Sequence, residues 1–263
     1  MKEVRQEVLN RWKSLVKERD PYLHQWIEIS KFLRPANGKF LNPTTQNEAK
    51  TRWNNIYDNT ALRASDILAK GLMSGMTDPS QQWFFLTTGS PDLDESVQVR
   101  RWLSDVSQIL YMTYAKTNLY QALHHAWLEA GLFGILAIII EEDEEKGFNC
   151  IPLTAGEYCI SCDSKGTPDT IYREFSLSLR QIVQKFGEDA LPYSLYQTYQ
   201  GGQKDKLYTI IHAIEPREKR DTRSKSNKDM PWRSVYLLKD AGDDQKPILR
   251  ESGSVSYTHL TLP

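Results

Sequence analysis

Residues 56–86 constrain this chain more than any other stretch. Asp58, Asn59 and Thr60 are three successive N-cap candidates ahead of an apolar-periodic run. In that run Ala61, Ala64, Leu68, Gly71, Leu72 and Gly75 recur at three- and four-residue spacing, so they share one helical face. The face is mostly small, and each interior glycine costs roughly 1 kcal/mol against alanine. A fold recovers that cost only where another backbone packs closely, so the pattern predicts a tightly packed core helix. Thr77-Asp78-Pro79 ends it, because the residue before a proline is driven out of the α region. Trp83-Phe84-Phe85 then returns as a short buried strand or an aromatic plug.

Upstream, Val4, Val8, Trp12, Leu15 and Val16 share the apolar face of an amphipathic helix. Asp20-Pro21 is expected to break it and start a second helix, with Asp20 as N-cap and Leu23, Trp26, Ile27 and Leu33 as its apolar stripe. Residues 35–50 are rich in Asn, Gly, Pro and Thr, and read as a loop long for a compact domain, either functional or partly mobile. Downstream, a helix capped near Asp92 or Asp94 carries Val99, Trp102, Leu103, Val106, Ile109, Leu110 and Thr113 on one side. Asn118 caps the next, with Leu119, Ala122, Leu123, Ala126, Trp127 and Ala130. From residue 135 the chain reads as a β-meander with tight turns, starting with the β-branched run 135–140. Ser178 opens a short helix that Gly187 closes.

Groups that carry chemistry are few. Cys159 and Cys162 form a C-x-x-C, but residues three apart on a strand point to opposite faces, and there is no second pair. Two free thiols are expected, and the three cysteines suit a reducing, cytosolic site of folding. Residues 141–145 are all acidic but lack the alternating ligands and central glycine of a calcium loop, and read as a solvated hairpin tip. His124 and His125, followed by Glu129, diverge by about 100° on a helix, so the two histidines cannot share a site. No H-E-x-x-H, G-x-S-x-G, Walker or G-x-G-x-x-G pattern occurs. The sequence thus offers no catalytic, cofactor-binding or metal set.

Residues 215–230 are basic and poor in apolar side chains. They are either a solvated loop or a place for DNA phosphate contacts by Lys219, Arg220, Arg223, Lys225 and Lys228. Aromatic residues do not interleave with them, so base stacking is not expected. A net charge of −1 means that any DNA contact is local. The most apolar run, 130–140, is about half of the ~20 residues a membrane span needs. Met1-Lys2-Glu3-Val4 leads straight into a charged helix, so no leader is expected.

These residues resemble the head-to-tail connector, or portal, proteins of short-tailed bacteriophages. The matching positions in the first stretch are Ile56, Tyr57, Asp58, Thr60 and Ala61, then Leu68, Ala69, Gly71, Leu72, Ser74, Thr77 and Pro79, then Trp83, Phe84 and Leu86. Met76 stands where the family more often has leucine, a nearly volume-conserving change. Further matches are Phe133-Gly134, Ile151-Pro152, Tyr158, Ile160, Asp163 and Gly166, followed by Arg173, Phe175, Leu177, Gln181, Phe186 and Gly187. His212, Pro216, Arg217, residues 232–238 and residues 248–253 complete a likeness running from about residue 20 to Gly253.

The resemblance implies an α+β fold, with N-terminal helices packed on a β-meander as in a portal wing, and stem, clip and crown largely missing. It places a helical portion at 1–134 and a β-rich portion at 135–253. Residues 254–263 are expected to be a non-native tail, since 255–263 resemble translated sequencing adapter. The implied function is structural, not enzymatic: a twelve-membered ring at a capsid vertex through which double-stranded DNA is packaged and ejected. Implied partners are further copies, major capsid and scaffolding proteins, terminase, a tail adaptor and the DNA, with no membrane. The implied places are the virion's portal vertex and, during assembly, the host cytoplasm. Two other readings stay open on the residues alone: a metal-dependent nucleic-acid-processing enzyme using the acidic run, and a stand-alone interaction module.

Overall fold

The computed structural model describes residues 2–34, 57–217, 220, 221, 223, 224, 226–241 and 247–254. The chain separates into two compact units, one of residues 1–53 with 156–263 and one of residues 54–155. Compactness thus cuts the chain elsewhere than the change from helix to strand near residue 134. The architecture is α+β, with helices and two antiparallel sheets.

The first unit is built on a five-stranded meander of β3 (Tyr158–Cys162), β4 (Pro168–Ser178), β5 (Leu207–Pro216), β6 (Trp232–Leu238) and β7 (Ile248–Ser254), each paired with the next. Both faces are covered, which is why β4 and β5 are buried along most of their length. One face takes α1 (Lys2–Leu33). Val8, Trp12 and Leu15 pack on Cys159, Tyr172, Ile211, Ala213 and Leu237. Trp12 stacks on Tyr172 with ring centres 6.4 Å apart. The other face takes α6 (Leu179–Phe186) and α7 (Tyr193–Gln200), whose Leu179, Ile182 and Leu195 join Ile210, Tyr236, Leu238 and Leu249. A reciprocal capping box between Ser178 and Gln181 starts α6.

The expected break at Pro21 does not occur, and α1 runs through it. The proline removes the bond to the Lys17 carbonyl, but Lys17 and Pro21 are both on the exposed side. The inward row continues across it through Arg19, Leu23, Trp26 and Ser30. Side-chain ties hold the helix down. Arg5 Nη2 donates to the Ala241 carbonyl at 2.5 Å and Arg11 Nη2 to Ser161 Oγ at 3.1 Å. Arg19 Nη1 donates to the carbonyls of Gly156 at 2.7 Å and Tyr158 at 3.3 Å. The last of these bonds is to the first residue of β3, one edge of the sheet. On the opposite edge strand, β7, the Gly253 N–H donates to Asn227 Oδ1.

The second unit holds α2 (Thr60–Met76), α3 (Pro91–Asp94), α4 (Val97–Lys116), α5 (Leu119–Phe133) and a separate two-stranded hairpin of β1 (Ala137–Asp143) and β2 (Gly147–Leu153). The meander therefore begins at β3 and not at residue 135. Gly134 ends α5 in the left-handed region at φ 74°, and the strand starts three residues on. Asn118 does not cap α5 with its side chain. It bonds the Cys150 N–H at 2.8 Å and the Cys150 carbonyl at 2.7 Å, fixing β2 to the start of the helix.

The face expected to bury α2 is buried only in part, through half-buried Leu72 and the approach of Leu68 to α5. Ser65 and Ala69 are buried, whereas Ala61, Ala64, Leu68, Gly71 and Gly75 are exposed, and a Cβ built on either glycine would touch nothing within 4 Å. The close helix approach is made by a glycine of α5 instead. A Cβ on Gly131 would stand 2.9 Å from Leu68 Cδ2. The aromatic run after α2 is a plug rather than a strand. Phe84 sits 5.5 Å from Tyr114, which meets Phe148 edge-on at 5.8 Å, while Phe85 is exposed. On α4 the apolar arc is wider than the buried one. Leu103 and Ser107 are buried, and Trp102 and Ile109 face solvent.

Candidate nucleic-acid interface

The basic segment links β5 to β6. Its neck is closed by the Arg217 N–H donating to the Pro231 carbonyl at 2.7 Å. Arg217 itself is committed to the neck, with Nη1 and Nη2 each 3.1 Å from Glu251 Oε1. Inside the loop the Asp221 carboxylate accepts the Arg223 N–H at 2.9 Å. The Asp229 carboxyl is held below the usual range by the Ser224 hydroxyl and the Asp221 N–H. A 3₁₀ turn at Asn227–Asp229 seats against β7 through the bond from Gly253. A Cβ on Gly253 would lie 2.0 Å from the Asn227 carbonyl oxygen, so only glycine permits this approach.

Arg220 and Arg223 are exposed to solvent. Lys219 and Lys225, and the side chain of Lys228, lie outside the described residues, as do the loop 35–50 and the tail 255–263. Chemically, two exposed guanidiniums on a tethered loop can meet phosphate oxygens through charge-assisted hydrogen bonds.

Sequence reasoning missed a second polar arrangement, a row across the sheet made by Arg173, His212, Tyr236 and Arg250 in register on four adjacent strands. Arg173 Nε donates to His212 Nδ1 at 3.2 Å, which leaves the imidazole proton on Nε2, facing Ser234 Oγ at 2.9 Å. His212 stacks on Tyr236 with centroids 3.9 Å apart and planes 8° from parallel. Arg250 lies over the same tyrosine at 5.2 Å and Lys185 at 5.5 Å. Burial first, then Arg173, Lys185 and Arg250, push the His212 pKa well below 6.5. The partners of His212 come from three other strands, which local sequence pattern does not pair.

The other candidates stay apart. Cys159 is buried, its thiol pushed up to about 11 by burial, while Cys162 three residues on is exposed. The acidic run forms the β1–β2 tip, where Asp143 accepts the N–H groups of Glu145 and Lys146, each at 2.9 Å. His124 Nε2 pairs with Asp66 at 3.8 Å, and the buried Glu129 accepts the Ala155 N–H at 2.9 Å. Among the described residues no group of three His, Cys, Asp or Glu is arranged to hold a metal ion, and no helix is long and apolar enough to cross a membrane.

The chain matches the family described as bacteriophage head to tail connecting protein over residues 5–261. It is 41% identical over 256 residues to a protein named probable portal protein of Bordetella phage BPP-1, covering 97% of this chain and 46% of that protein. It is 32% identical over 249 residues to the portal protein of Salmonella phage epsilon15, covering 95% of this chain and 44% of that protein. The chain thus spans a little under half the length of these two curated relatives.

Proposed function

The chain belongs to the family of bacteriophage head to tail connecting proteins, and on that premise we propose that it is part of a structural portal subunit. Copies of the subunit assemble as a ring of twelve at one capsid vertex, and double-stranded DNA passes through the ring on packaging and ejection. The observation that carries this reading is the match across nearly the whole chain, joined to two relatives named as portal proteins. The role is mechanical, and ATP hydrolysis falls to a separate terminase. Major capsid protein, scaffolding protein, terminase and a tail adaptor are the remaining partners, met first in the host cytoplasm and then at the portal vertex of the virion.

Within that role the loop between β5 and β6 supplies phosphate contacts through Lys219, Arg220, Arg223, Lys225 and Lys228. The exposure of Arg220 and Arg223 supports this. Residues 1–134 and 135–253 are the helical and β-rich portions of the wing.

Electron microscopy of the full-length gene product tests the reading. Closed rings with a central channel are expected, and mass spectrometry should find the protein in purified virions. A full-length protein that stays monomeric alongside its capsid proteins and is missing from virions would refute it.

A further inference from the structure

The margins of the two sheets are not alike. On the five-stranded sheet, Arg19 takes the Tyr158 carbonyl of β3 and Asn227 takes the Gly253 N–H of β7. In the β1–β2 hairpin the register fixes which backbone groups point outward. Cys150 gives its N–H and its carbonyl to Asn118, at 2.8 and 2.7 Å, so Cys150 and the opposing Ile140 do not bond each other. Bonded and unbonded pairs alternate along an antiparallel ladder, so Ile138–Pro152 and Glu142–Phe148 are unbonded too. Pro152, which has no N–H to give, fits that assignment.

The outer margin of β2 is thus occupied by Asn118 and lacks a donor at Pro152. That of β1 is open. The N–H and carbonyl groups of Ile138, Ile140 and Glu142 point away from β2, and none has a hydrogen-bond partner among the described residues. Over its seven residues β1 has no lysine, no proline and no bulge, and Ile140 is 55% exposed. Its guard is the acid at one end, where residues 141–145 precede Lys146. A two-stranded hairpin is marginal by itself in water. Donors and acceptors recurring about every 7 Å along such a margin match extended polypeptide backbone.

We infer that the outer margin of β1 receives a third strand, supplied by the part of the same full-length subunit that lies outside this chain. That strand carries apolar side chains beside Ile138 and Ile140 and a lysine or arginine beside Glu142. The inference rests on the portal reading, since the two portal relatives are more than twice as long as the portion this chain matches, and the remainder has ample length to supply a strand. Two physical points favour that source. A subunit waiting unassembled with the margin bare would pair with any passing strand, whereas a tethered strand arrives at high effective concentration. The β1 of another copy would have to run antiparallel to keep Glu142 away from Glu142, and that two-fold pairing stops at two copies and cannot be repeated around a ring.

Residue-resolved amide hydrogen exchange in the monomeric full-length protein tests it. On an open margin the amides of Ile138, Ile140 and Glu142 exchange fast, while those of Ile139 and Glu141, bonded to β2, exchange slowly. With the added strand all five should be slow, the outer three within tenfold of the inner two. Ile140→Pro removes only an outward N–H, so it should speed Ile138 and Glu142 at least tenfold and leave Asn149 and Ile151 of β2 slow. A second measurement does not depend on that variant folding. p-Benzoylphenylalanine in place of Ile140, irradiated in an equal mixture of ¹⁴N- and ¹⁵N-labelled full-length protein, should give single-isotope crosslinks to a segment outside these 263 residues that contains Lys or Arg. Fast outer beside slow inner amides, protection unmoved by Ile140→Pro, protection that arises only on ring closure, or mixed-isotope crosslinks would overturn the inference. Full-length protein that closes rings yet shows fast outer amides refutes this strand alone. Full-length protein that forms no ring refutes the portal reading.

Discussion

Acid should weaken the first unit through His212. The ring sits within the sheet, its Nδ1 accepting from Arg173 and its Nε2 facing Ser234. A proton added to Nδ1 would point at the guanidinium N–H, with Lys185 and Arg250 also facing the ring's neighbourhood. The folded protein therefore keeps the imidazole neutral well below pH 6.5, whereas the unfolded chain protonates it near 6.5. Below that value the unfolded state binds the extra proton. Stability is full above about pH 6.5 and is lost as the pH falls, at about 1.4 kcal/mol per unit. At pH 5 this slope caps the loss at about 2 kcal/mol, a sizeable part of a domain's usual margin.

Carboxylates also titrate in this window, so the informative quantity is a difference. Urea unfolding of wild type and His212→Gln should be compared from pH 7.5 to 5. Glutamine cannot take up the proton, and both proteins share every carboxylate. Wild type should lose more than the variant across the range, up to about 2 kcal/mol. A stability gap that stays constant, or moves the other way, would refute the account of a neutral, cation-surrounded histidine.

Other outcomes follow from the same geometry. Arg233 lies 2.5 Å from Glu215 and 2.9 Å from Glu7, and Glu215 also accepts the Tyr172 hydroxyl at 2.7 Å. Arg233→Met should cost about 3 kcal/mol in thermal or urea unfolding by leaving Glu215 without its cation, and adding Glu215→Gln should recover much of it. Gly253→Ala must displace the backbone at Asn227 and should cost at least about 1 kcal/mol. Gly131→Ala meets only the end of the Leu68 side chain and should cost less, as paired melting curves would show. Arg220→Glu with Arg223→Glu should weaken DNA binding in a filter or anisotropy assay and reduce the salt slope by about 2. Its unfolding curve should stay within about 0.5 kcal/mol of wild type.

What the sequence made legible was set by local periodicity. The amphipathic stripe Val8, Trp12 and Leu15 and the Ser178–Gln181 cap are contained within a few neighbouring residues, and they appear where the pattern puts them. Pro21 misled because a local penalty near 3 kcal/mol was outweighed by tertiary ties such as Arg5, Arg11 and Arg19, which no window of sequence contains. The small face of α2 misled for a related reason. Two helices met closely through Gly131 on the partner, and composition alone does not say which helix gives way. Helix α7, with the sequence Tyr193-Ser-Leu-Tyr-Gln-Thr-Tyr-Gln200, carries little apolar periodicity and escaped notice. The Arg173–His212–Tyr236 row was invisible because it exists only once the strand register is known.

The bonds from Arg19 to Tyr158 and from Gly253 to Asn227 bear on how the margins of the five-stranded sheet meet other strands. A sheet with open margins can be lengthened by any passing strand, and such growth has no natural stopping point. Here groups on each marginal strand are already claimed by side chains of the same molecule, one from a helix and one from a loop. Each such bond takes one backbone group out of the reach of an incoming strand.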